Sequence, residues 1–138
     1  MTAALVQVCV DPRLNHEIIR LQVRQRLERS GLRAERIYLP NEQGGNLGTG
    51  FRNTAQLLAR AGEPIVFCAV LHHDDCLAAR EGQRTDLATT AKEMATELGR
   101  LGVICPVVTG QIRTAHSQVL WTDEPEYRYV PFSFGVGS

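Results

Sequence analysis

The chain of 138 residues is long enough for one domain built around a single hydrophobic core. Its 15 basic and 15 acidic side chains balance, so it lacks the overall positive field with which proteins attract nucleic acid. No apolar run has the length needed to cross a bilayer, and residues 1–10 lack the charged segment and apolar core of a secretory signal. We therefore predict a cytoplasmic protein with no nucleic-acid partner and no membrane partner.

The first part of the chain alternates apolar runs with amphipathic segments. Residues 5–10 are apolar and rich in β-branched side chains, which predicts a buried strand. Residues 14–29 carry apolar side chains at helical spacing, and a glycine ends the pattern. A second short strand is predicted over 36–39. Residues 41–50 contain four glycines and no periodicity, which predicts a loop that bends sharply or approaches another group closely.

The same alternation continues in the middle of the chain. A helix is predicted over 51–61, and residues 65–71 are continuously apolar, as in a strand covered on both faces of a parallel sheet. A helix over 85–101 and a fourth strand over 103–109 follow. This order predicts an α/β fold with a mainly parallel four-stranded sheet, flanked by helices and connected by right-handed crossovers.

Beyond residue 110 the pattern changes. Residues 118–121 and 127–134 are β-prone and flank an Asp-Glu-Pro turn, which predicts a C-terminal β-hairpin or extended arm. The aromatic side chains of this region would be costly to leave in water, so we expect them to pack on the domain or on a partner subunit. The sequence thus divides into an α/β domain over 1–110 and a β-rich arm over 111–138.

The chain has four cysteines, which are Cys9, Cys68, Cys76 and Cys105. In a reducing cytosol a metal-binding or catalytic role is favoured over a disulfide framework. Cys68 lies inside an apolar strand and Cys105 precedes a proline near the start of another, so we interpret both as packing residues. The same plain interpretation is open for Cys9 and Cys76, because buried free cysteines often serve as small apolar side chains.

Two clusters of polar and cysteine residues lie directly after predicted strands in the sequence. Cys9-Val10-Asp11-Pro12-Arg13 follows the first strand, and His72-His73-Asp74-Asp75-Cys76 follows the long apolar strand. Ligands of open α/β sheets gather at the carboxyl ends of the strands, so Cys9, His73 and Cys76 can meet if these strands are neighbours. Two thiolates and one imidazole form a soft site that suits Zn²⁺, and three protein ligands leave the fourth tetrahedral position for water.

Further polar side chains fit the same site. Asp11 can accept a hydrogen bond from zinc-bound hydroxide or take the open position itself, and Arg13 can hold Asp11 off the metal through a charge-assisted pair. Alternatively, Asp11 only begins an Asp-Pro turn and Arg13 only occupies the first turn of a helix, where its charge is not favoured. His72 is the rival ligand, but the spacing to the second cysteine of the site favours His73. Asp75 is a turn residue that can also orient a ligand.

The order Cys-x-Asp-x-Arg, then His-x-x-Cys, resembles the zinc-site pattern of the β-class carbonic anhydrases. The residues that match this pattern are Cys9, Asp11, Arg13, His73 and Cys76. The glycine-containing segment 43–46 is similar, more loosely, to a stretch that the family places between the two halves. The resemblance spans residues 6–108 and is greatest to the short, compact members of the class.

This resemblance implies reversible hydration of CO2 to bicarbonate, with Zn²⁺ as cofactor, zinc-bound hydroxide as nucleophile, and Asp11 and Arg13 as catalytic residues. It also implies a homodimer or higher homo-oligomer in which the partner subunit helps to wall the cleft. Leu77 stands where the family usually has glycine. Two alternatives stay open: a zinc-binding relative with a binding, sensing or structural role but no hydratase activity, and a zinc hydrolase of carbon disulfide or carbonyl sulfide. A metal-free thiol enzyme ranks lower, because Cys9 lacks a sequence-adjacent base.

Overall fold

The computed structural model describes residues 1–124, which form a sheet with helices on both faces. The strands are β1 (Ala3–Cys9), β2 (Arg36–Tyr38), β3 (Asn41–Glu42), β4 (Ile65–His73), β5 (Val107–Arg113) and β6 (Gln118–Trp121). The helices are α1 (His16–Arg29), α2 (Thr49–Arg60), α3 (Leu77–Arg80) and α4 (Leu87–Arg100), and a 3-10 turn covers Gln43–Gly45. None of the helices in this part of the chain is both long and apolar enough to span a bilayer.

The sheet is mainly parallel, with the strand order β2-β1-β4-β5-β6. β1 pairs in parallel with β2, β3 and β4, and β4 pairs in parallel with β5. β6 pairs with β5 in the antiparallel direction. The predicted α/β class is confirmed, and the four predicted strands form the parallel centre of the sheet. Within residues 1–124 the sheet has six strands rather than four, because β3 and β6 extend that centre.

Both faces of the sheet are covered, which explains why its central strands are apolar without alternation. α1 buries Ile19 and Val23 against one face, and α2 and α4 bury Phe51 and Met94 against the other. β1 is buried at every position and, apart from Gln7, follows the continuous apolar pattern of a strand with two covered faces.

Side-chain caps determine where two of the helices begin. The Asn15 side chain accepts hydrogen bonds from the backbone N–H groups two and three residues further on, at 3.0 and 3.1 Å. α1 therefore starts at His16 rather than at residue 14. Asp86 caps α4 in the same way and accepts a hydrogen bond from the backbone N–H of Thr89 at 2.9 Å.

Three strand boundaries differ from the sequence prediction. β4 extends to His73, so this histidine lies at the end of the strand rather than beyond it. β5 begins at Val107 instead of residue 103, because Pro106 has no N–H to donate to a strand ladder and Ile104 is 99% exposed. β3 lies in the segment predicted as a loop, where pairing with β1, rather than local propensity, makes it a strand.

The C-terminal prediction is only partly covered by the described residues. The β-prone run over 118–121 is the strand β6, and its hairpin partner is β5. The second β-prone run, over 127–134, lies outside the described residues. β5 covers positions 107–113 and so crosses residue 110. The division into a domain over 1–110 and an arm over 111–138 stays a prediction.

Candidate metal centre

Three potential metal ligands meet at the carboxyl edge of the sheet. Cys9 ends β1, His73 ends β4, and Cys76 follows three residues later. Because β1 and β4 are parallel neighbours, their final residues lie at the same edge. Asp75 adopts a left-handed backbone conformation, with φ 52°, and so turns the chain back toward β1. Each of the three offers one ligand atom, all three atoms lie within 4.8 Å of one another, and all three residues are buried.

The His73 ring is oriented by hydrogen bonds on one side only. Its Nδ1 atom lies 2.7 Å from the backbone oxygen of Asp74 and 2.9 Å from Oγ1 of Thr114. A carbonyl oxygen can only accept, so Nδ1 donates and the lone pair of the neutral ring is on Nε2. Nε2 is buried and has no hydrogen-bond partner among residues 1–124. Burying such a group without a partner costs about 1–3 kcal/mol, and a metal ion at Nε2 would remove that cost.

Thr114 supports this arrangement from the loop after β5. Its backbone N–H donates to Oδ1 of Asp74 at 2.6 Å, and its hydroxyl donates to Oδ1 and to the backbone oxygen of Asp74 at 2.7 and 2.5 Å. Burial raises the pKa of Asp74, but the hydrogen bonds from Thr114 outweigh burial, so the pKa is lowered overall. Asp74 therefore remains a carboxylate, and the hydrogen bonds around it fix the imidazole of His73.

Arg13 connects the two segments that carry the potential ligands. It donates to Asp11 through Nε and Nη2, at 3.0 and 2.7 Å. It also donates through Nη1 to the Asp75 carboxylate at 2.8 Å and through Nη2 to the Asp75 backbone oxygen at 2.9 Å. The hydrogen bond from the Arg13 side chain lowers the pKa of Asp11 to about 2. The ionised Asp11 holds its Oδ2 atom 3.9 Å from Nε2 of His73, beside the three potential ligands.

In the absence of a cation, the surroundings of Cys9 disfavour ionisation of its thiol. Burial is the main reason that the pKa of Cys9 is raised, and the neighbouring Cys76 adds to it. Hydrogen bonds with the backbone of Asp11 and Gly44 act in the opposite direction. A divalent cation reverses this balance, because thiols that bind a metal lose their protons.

The glycine-rich turn packs directly against this centre. Gly44 and Gly45 have φ values of 67° and 72°, in the left-handed region that favours glycine. A Cβ atom at Gly45 would lie 3.2 Å from the backbone oxygen of Leu71 and 3.3 Å from Cδ2 of His72. A Cβ atom at Gly44 would lie 3.1 Å from Cβ of Ala78. The loop predicted over 41–50 is therefore a close approach of backbone to the site.

A cleft of about 330 Å³ opens beside the two cysteines. Its lining includes Val10, Pro12, Leu77 and Ala78, which give the mouth of the site an apolar wall. Val10 is 51% exposed and Leu77 is 63% exposed. Leu77, which stands where the resembling family has glycine, therefore shapes the entrance to the cleft rather than the core of the domain.

The remaining candidates do not join the cluster. His72, the rival ligand, is adjacent to His73 on β4 and so points to the opposite face of the sheet, where burial lowers its pKa to about 4. Cys68 and Cys105 pack with the apolar side chains on the α2 and α4 face of the sheet. Thr114 is a supporting residue that the sequence analysis missed, because an isolated threonine 41 positions from the histidine that it contacts carries no local signal.

The donor set fits a metal ion. Two sulfurs and one unpartnered imidazole nitrogen lie close together and buried, a combination that soft and borderline cations such as zinc prefer. Zinc–sulfur and zinc–nitrogen bonds of about 2.3 and 2.0 Å can bridge atoms at this spacing after small side-chain rotations. Cys9, His73 and Cys76 can therefore bind a metal.

The comparisons with known proteins support the fold. No family model matches the sequence, and no curated protein matches it. Among solved structures, a carbonic anhydrase from Streptococcus mutans superposes with a TM-score of 0.53 at 16% identity, over 86% of this chain and 80% of that chain. A carbonic anhydrase from Glaciozyma antarctica gives a TM-score of 0.49 at 13% identity, over the same shares of the two chains. The superposition on the Streptococcus mutans structure confirms the expected likeness to the carbonic anhydrase fold.

Proposed function

We propose that this protein is a zinc-dependent carbonic anhydrase that catalyses the reversible hydration of CO2 to bicarbonate. The observation that carries the proposal is the convergence of three buried ligand atoms, from Cys9, His73 and Cys76, within 4.8 Å of one another. The likeness of the fold to solved carbonic anhydrases and the Cys-x-Asp-x-Arg and His-x-x-Cys patterns support the same conclusion.

In this proposal Cys9 and Cys76 bind Zn²⁺ through their sulfurs, and His73 binds it through Nε2. When bound, zinc acts as a Lewis acid that lowers the pKa of water to about 7 and so supplies a nucleophile at neutral pH. Thr114 and the Asp74 backbone hold the His73 ring so that Nε2 faces the two sulfurs. The preference for zinc follows from the two thiols and the imidazole, since carboxylate-rich sites suit magnesium or calcium instead.

Asp11 positions the reacting water and does not act as its base. Because the pKa of Asp11 is lowered to about 2, its carboxylate stays ionised at neutral pH and would bind a proton poorly. Its Oδ2 atom, 3.9 Å from Nε2 of His73, accepts a hydrogen bond from that water and so directs a lone pair toward the substrate. Arg13 is a positioning residue, because its hydrogen bonds to Asp11 keep the carboxylate in this place.

The cleft favours a small uncharged substrate. Val10, Pro12 and Leu77 line its mouth with apolar side chains, which suit CO2 better than a charged molecule. The cleft volume of about 330 Å³ exceeds the needs of CO2, and Val10 and Leu77 remain half or more exposed. We therefore include in the proposal a homodimer or higher homo-oligomer, in which a second copy narrows the cleft. The proposed location, from the sequence alone, is the cytoplasm.

The first experiment is a metal analysis followed by a stopped-flow CO2 hydration assay of the zinc-loaded protein. We expect about one zinc per chain and a hydration rate that increases in proportion to protein concentration. Asp11→Asn should retain the zinc and lose most of the activity, whereas Asp86→Asn, at the cap of α4, should retain both. A background rate in protein that contains stoichiometric zinc would reject the hydratase proposal.

The distance between Asp11 and His73 supports a second candidate function, a closed metal site without hydratase activity. The 3.9 Å between Asp11 and Nε2 of His73 is short enough for Asp11 to become the fourth metal ligand, which would give a closed site with a binding, sensing or structural role. X-ray absorption spectroscopy from pH 6 to pH 9 distinguishes the two, because a closed site keeps a carboxylate ligand throughout. Carbonyl sulfide and carbon disulfide, tested beside CO2, separate the hydrolase alternative from both.

A further inference from the structure

Two cysteines that take no part in the metal cluster lie next to each other on the α2/α4 side of the sheet. Cys68 is in β4 and fully buried. Cys105 lies in segment 103–106, between α4 and β5, and is partly exposed. Its Sγ atom is 3.6 Å from Sγ of Cys68. Ile104, directly before Cys105, is 99% exposed, so this segment can be reached from solvent.

The backbone holds the two cysteines in this relation. The N–H of Cys68 donates to the backbone oxygen of Pro106 at 3.0 Å, and Cys68 is in register with Val107 in the parallel ladder between β4 and β5. Cys105 is thus fixed one residue from a strand-to-strand hydrogen bond. A disulfide requires the sulfurs to approach by a further ~1.5 Å.

The two thiols differ in their exposure to solvent, because Cys68 is fully buried and Cys105 is partly exposed. The hydrogen bond with Cys68 lowers the pKa of Cys105, and Cys105 is the partner that solvent reaches. The pKa of Cys68 is raised, first by its hydrogen bond with Cys105 and then by burial. Cys105 is therefore the sulfur that an oxidant in solvent meets first, and Cys68 is a buried thiol within contact distance of it.

We propose that Cys68 and Cys105 form a reversible intramolecular disulfide when the protein meets a hydroperoxide. The Cys105 thiolate attacks a peroxide oxygen, the O–O bond breaks, hydroxide leaves, and the sulfur becomes a sulfenic acid. The Cys68 sulfur then attacks the Cys105 sulfur, the S–OH bond breaks, and the departing hydroxide takes up the Cys68 proton. With H2O2, two thiols and one peroxide give one disulfide and two waters; the thiols are oxidised by two electrons and the peroxide is reduced by two.

The disulfide would tie segment 103–106 covalently to β4 and close a loop between positions 37 residues apart. It would lie on the face of the sheet opposite the one that His73 joins. The proposal is independent of the proposed function, because it uses neither the metal ligands nor the cleft. Its test therefore reads disulfide formation directly and needs no activity.

The experiment treats the full-length protein with H2O2 under non-denaturing conditions, blocks the remaining thiols by alkylation after unfolding, and digests with trypsin. Cleavage after arginine places Cys105 in peptide 101–113 and Cys68 in peptide 61–80, together with Cys76. We expect a mass loss of about 2 Da per chain and a link between these two peptides that fragmentation assigns to Cys68. Dithiothreitol should reverse the change.

Two variants separate the roles of the partners. In Cys68→Ala the reaction should stop at the sulfenic acid of Cys105, which dimedone captures. In Cys105→Ser, a substitution at a partly exposed position that the fold should tolerate, the buried Cys68 should stay reduced and be alkylated in full. The proposal would be overturned if both Cys68 and Cys105 were alkylated after peroxide treatment. It would also be overturned if Cys105 were linked to Cys9, to Cys76 or to a second chain.

Discussion

Two polar clusters with buried members lie on the α1 side of the sheet, and they differ in how fully their buried groups are paired. One is the metal cluster of Cys9, His73 and Cys76. The other, which we call the arginine clamp, consists of Arg26 of α1 with Asp123 and Glu124 after β6. In the clamp, Arg26 donates to Asp123 at 2.6 and 2.7 Å and to Glu124 at 2.9 Å, although only 8% of Arg26 is exposed.

The clamp compensates for the burial of its charge within the protein itself. The Arg26 guanidinium also donates to Ser30 through Nε at 3.1 Å and lies over the rings of Trp121 and Phe67, at 5.3 and 6.0 Å from their centroids. A buried charge with this many partners holds elements together. The metal cluster instead buries an imidazole nitrogen without a partner, so its burial is compensated only when a ligand arrives. The comparison predicts that substitutions in the clamp change stability and that substitutions in the metal cluster change metal binding.

The largest expected effect is the loss of metal from Cys76→Ser. A serine hydroxyl does not supply the thiolate that the site requires, so zinc affinity should fall by more than the roughly 10–100-fold that loss of a supporting residue costs. Any hydratase activity should be lost with it. The free energy of unfolding of the metal-free protein should change by only about 1 kcal/mol. Zinc content after dialysis and urea denaturation of the metal-free protein measure the two effects.

Cys105→Ser is the matched control for that substitution. It also replaces a cysteine by serine, but at a position outside the metal cluster, so it should keep about one zinc per chain. Full zinc retention by Cys76→Ser, or equal loss by both variants, would contradict the assignment of Cys76 as a ligand.

The next effect is the destabilisation caused by Arg26→Met. Removing one member of a buried ion pair costs about 3–5 kcal/mol. The Asp123 side chain is 49% exposed and can return to water, so we expect about 2–3 kcal/mol. Zinc content should not change. Arg24→Met, at an exposed position of the same helix, should cost less than about 0.5 kcal/mol. Urea denaturation of the two variants measures their free energies of unfolding. An equal loss of stability in both would mean that the clamp is only a surface contact.

Thr114→Val tests whether a supporting residue of the metal cluster affects the metal more than the fold. The substitution keeps the shape of the side chain but removes the hydroxyl beside His73 Nδ1 and Asp74. Zinc affinity should fall about 10-fold, within the range for such supporting partners. Thr90→Val removes another buried threonine hydroxyl, one that donates to the backbone oxygen of Asp86, the N-cap residue of α4, and should leave the affinity unchanged. Competition with a chromogenic zinc chelator gives both affinities, and equal affinities for the two variants would remove Thr114 from the site.

The strands that are buried on both faces along nearly their whole length were predictable from the sequence. β1 and β4 are apolar at nearly every position because sheet neighbours and helices cover them on all sides, and that pattern is visible without a structure. β3, with two residues, carries no such pattern and exists through its pairing with β1. The start of β5 was wrong by four residues, because the apolar Val103 and Ile104 resemble a strand but Val103 donates to Leu98 at the end of α4 instead.

The candidate site was predictable where its residues fall close together in the chain. Asp11 with Arg13, and His73 with Cys76, are separated by two and three positions. Their spacing, together with the expectation that the two strands are neighbours and the resemblance to a zinc-site pattern, led to the predicted site. Long-range partners were not predictable in this way. Arg26 is one of several arginines in a helix with a charged outer face, and only the structure shows its contact with Asp123, 97 residues away.

The smallest expected effect concerns the pH dependence of the clamp. The hydrogen bond from Arg26 lowers the pKa of Asp123 in the folded protein, whereas the unfolded chain has an ordinary pKa of about 3.9. The folded state thus binds this proton less readily, so the stabilisation is present above pH ~4 and is lost as the pH falls through the folded-state pKa. Asp123→Asn should therefore be less stable than the natural sequence at pH 7. Because the side chain is half exposed, we expect the difference in the free energy of unfolding to be less than about 1 kcal/mol. This difference should shrink between pH 5 and pH 3. The carboxylates outside the clamp have the same surroundings in both proteins and cancel in this difference. Urea denaturation at the three pH values measures it, and a difference that grew toward pH 3 would show that Asp123 stabilises the protein through something other than its charge.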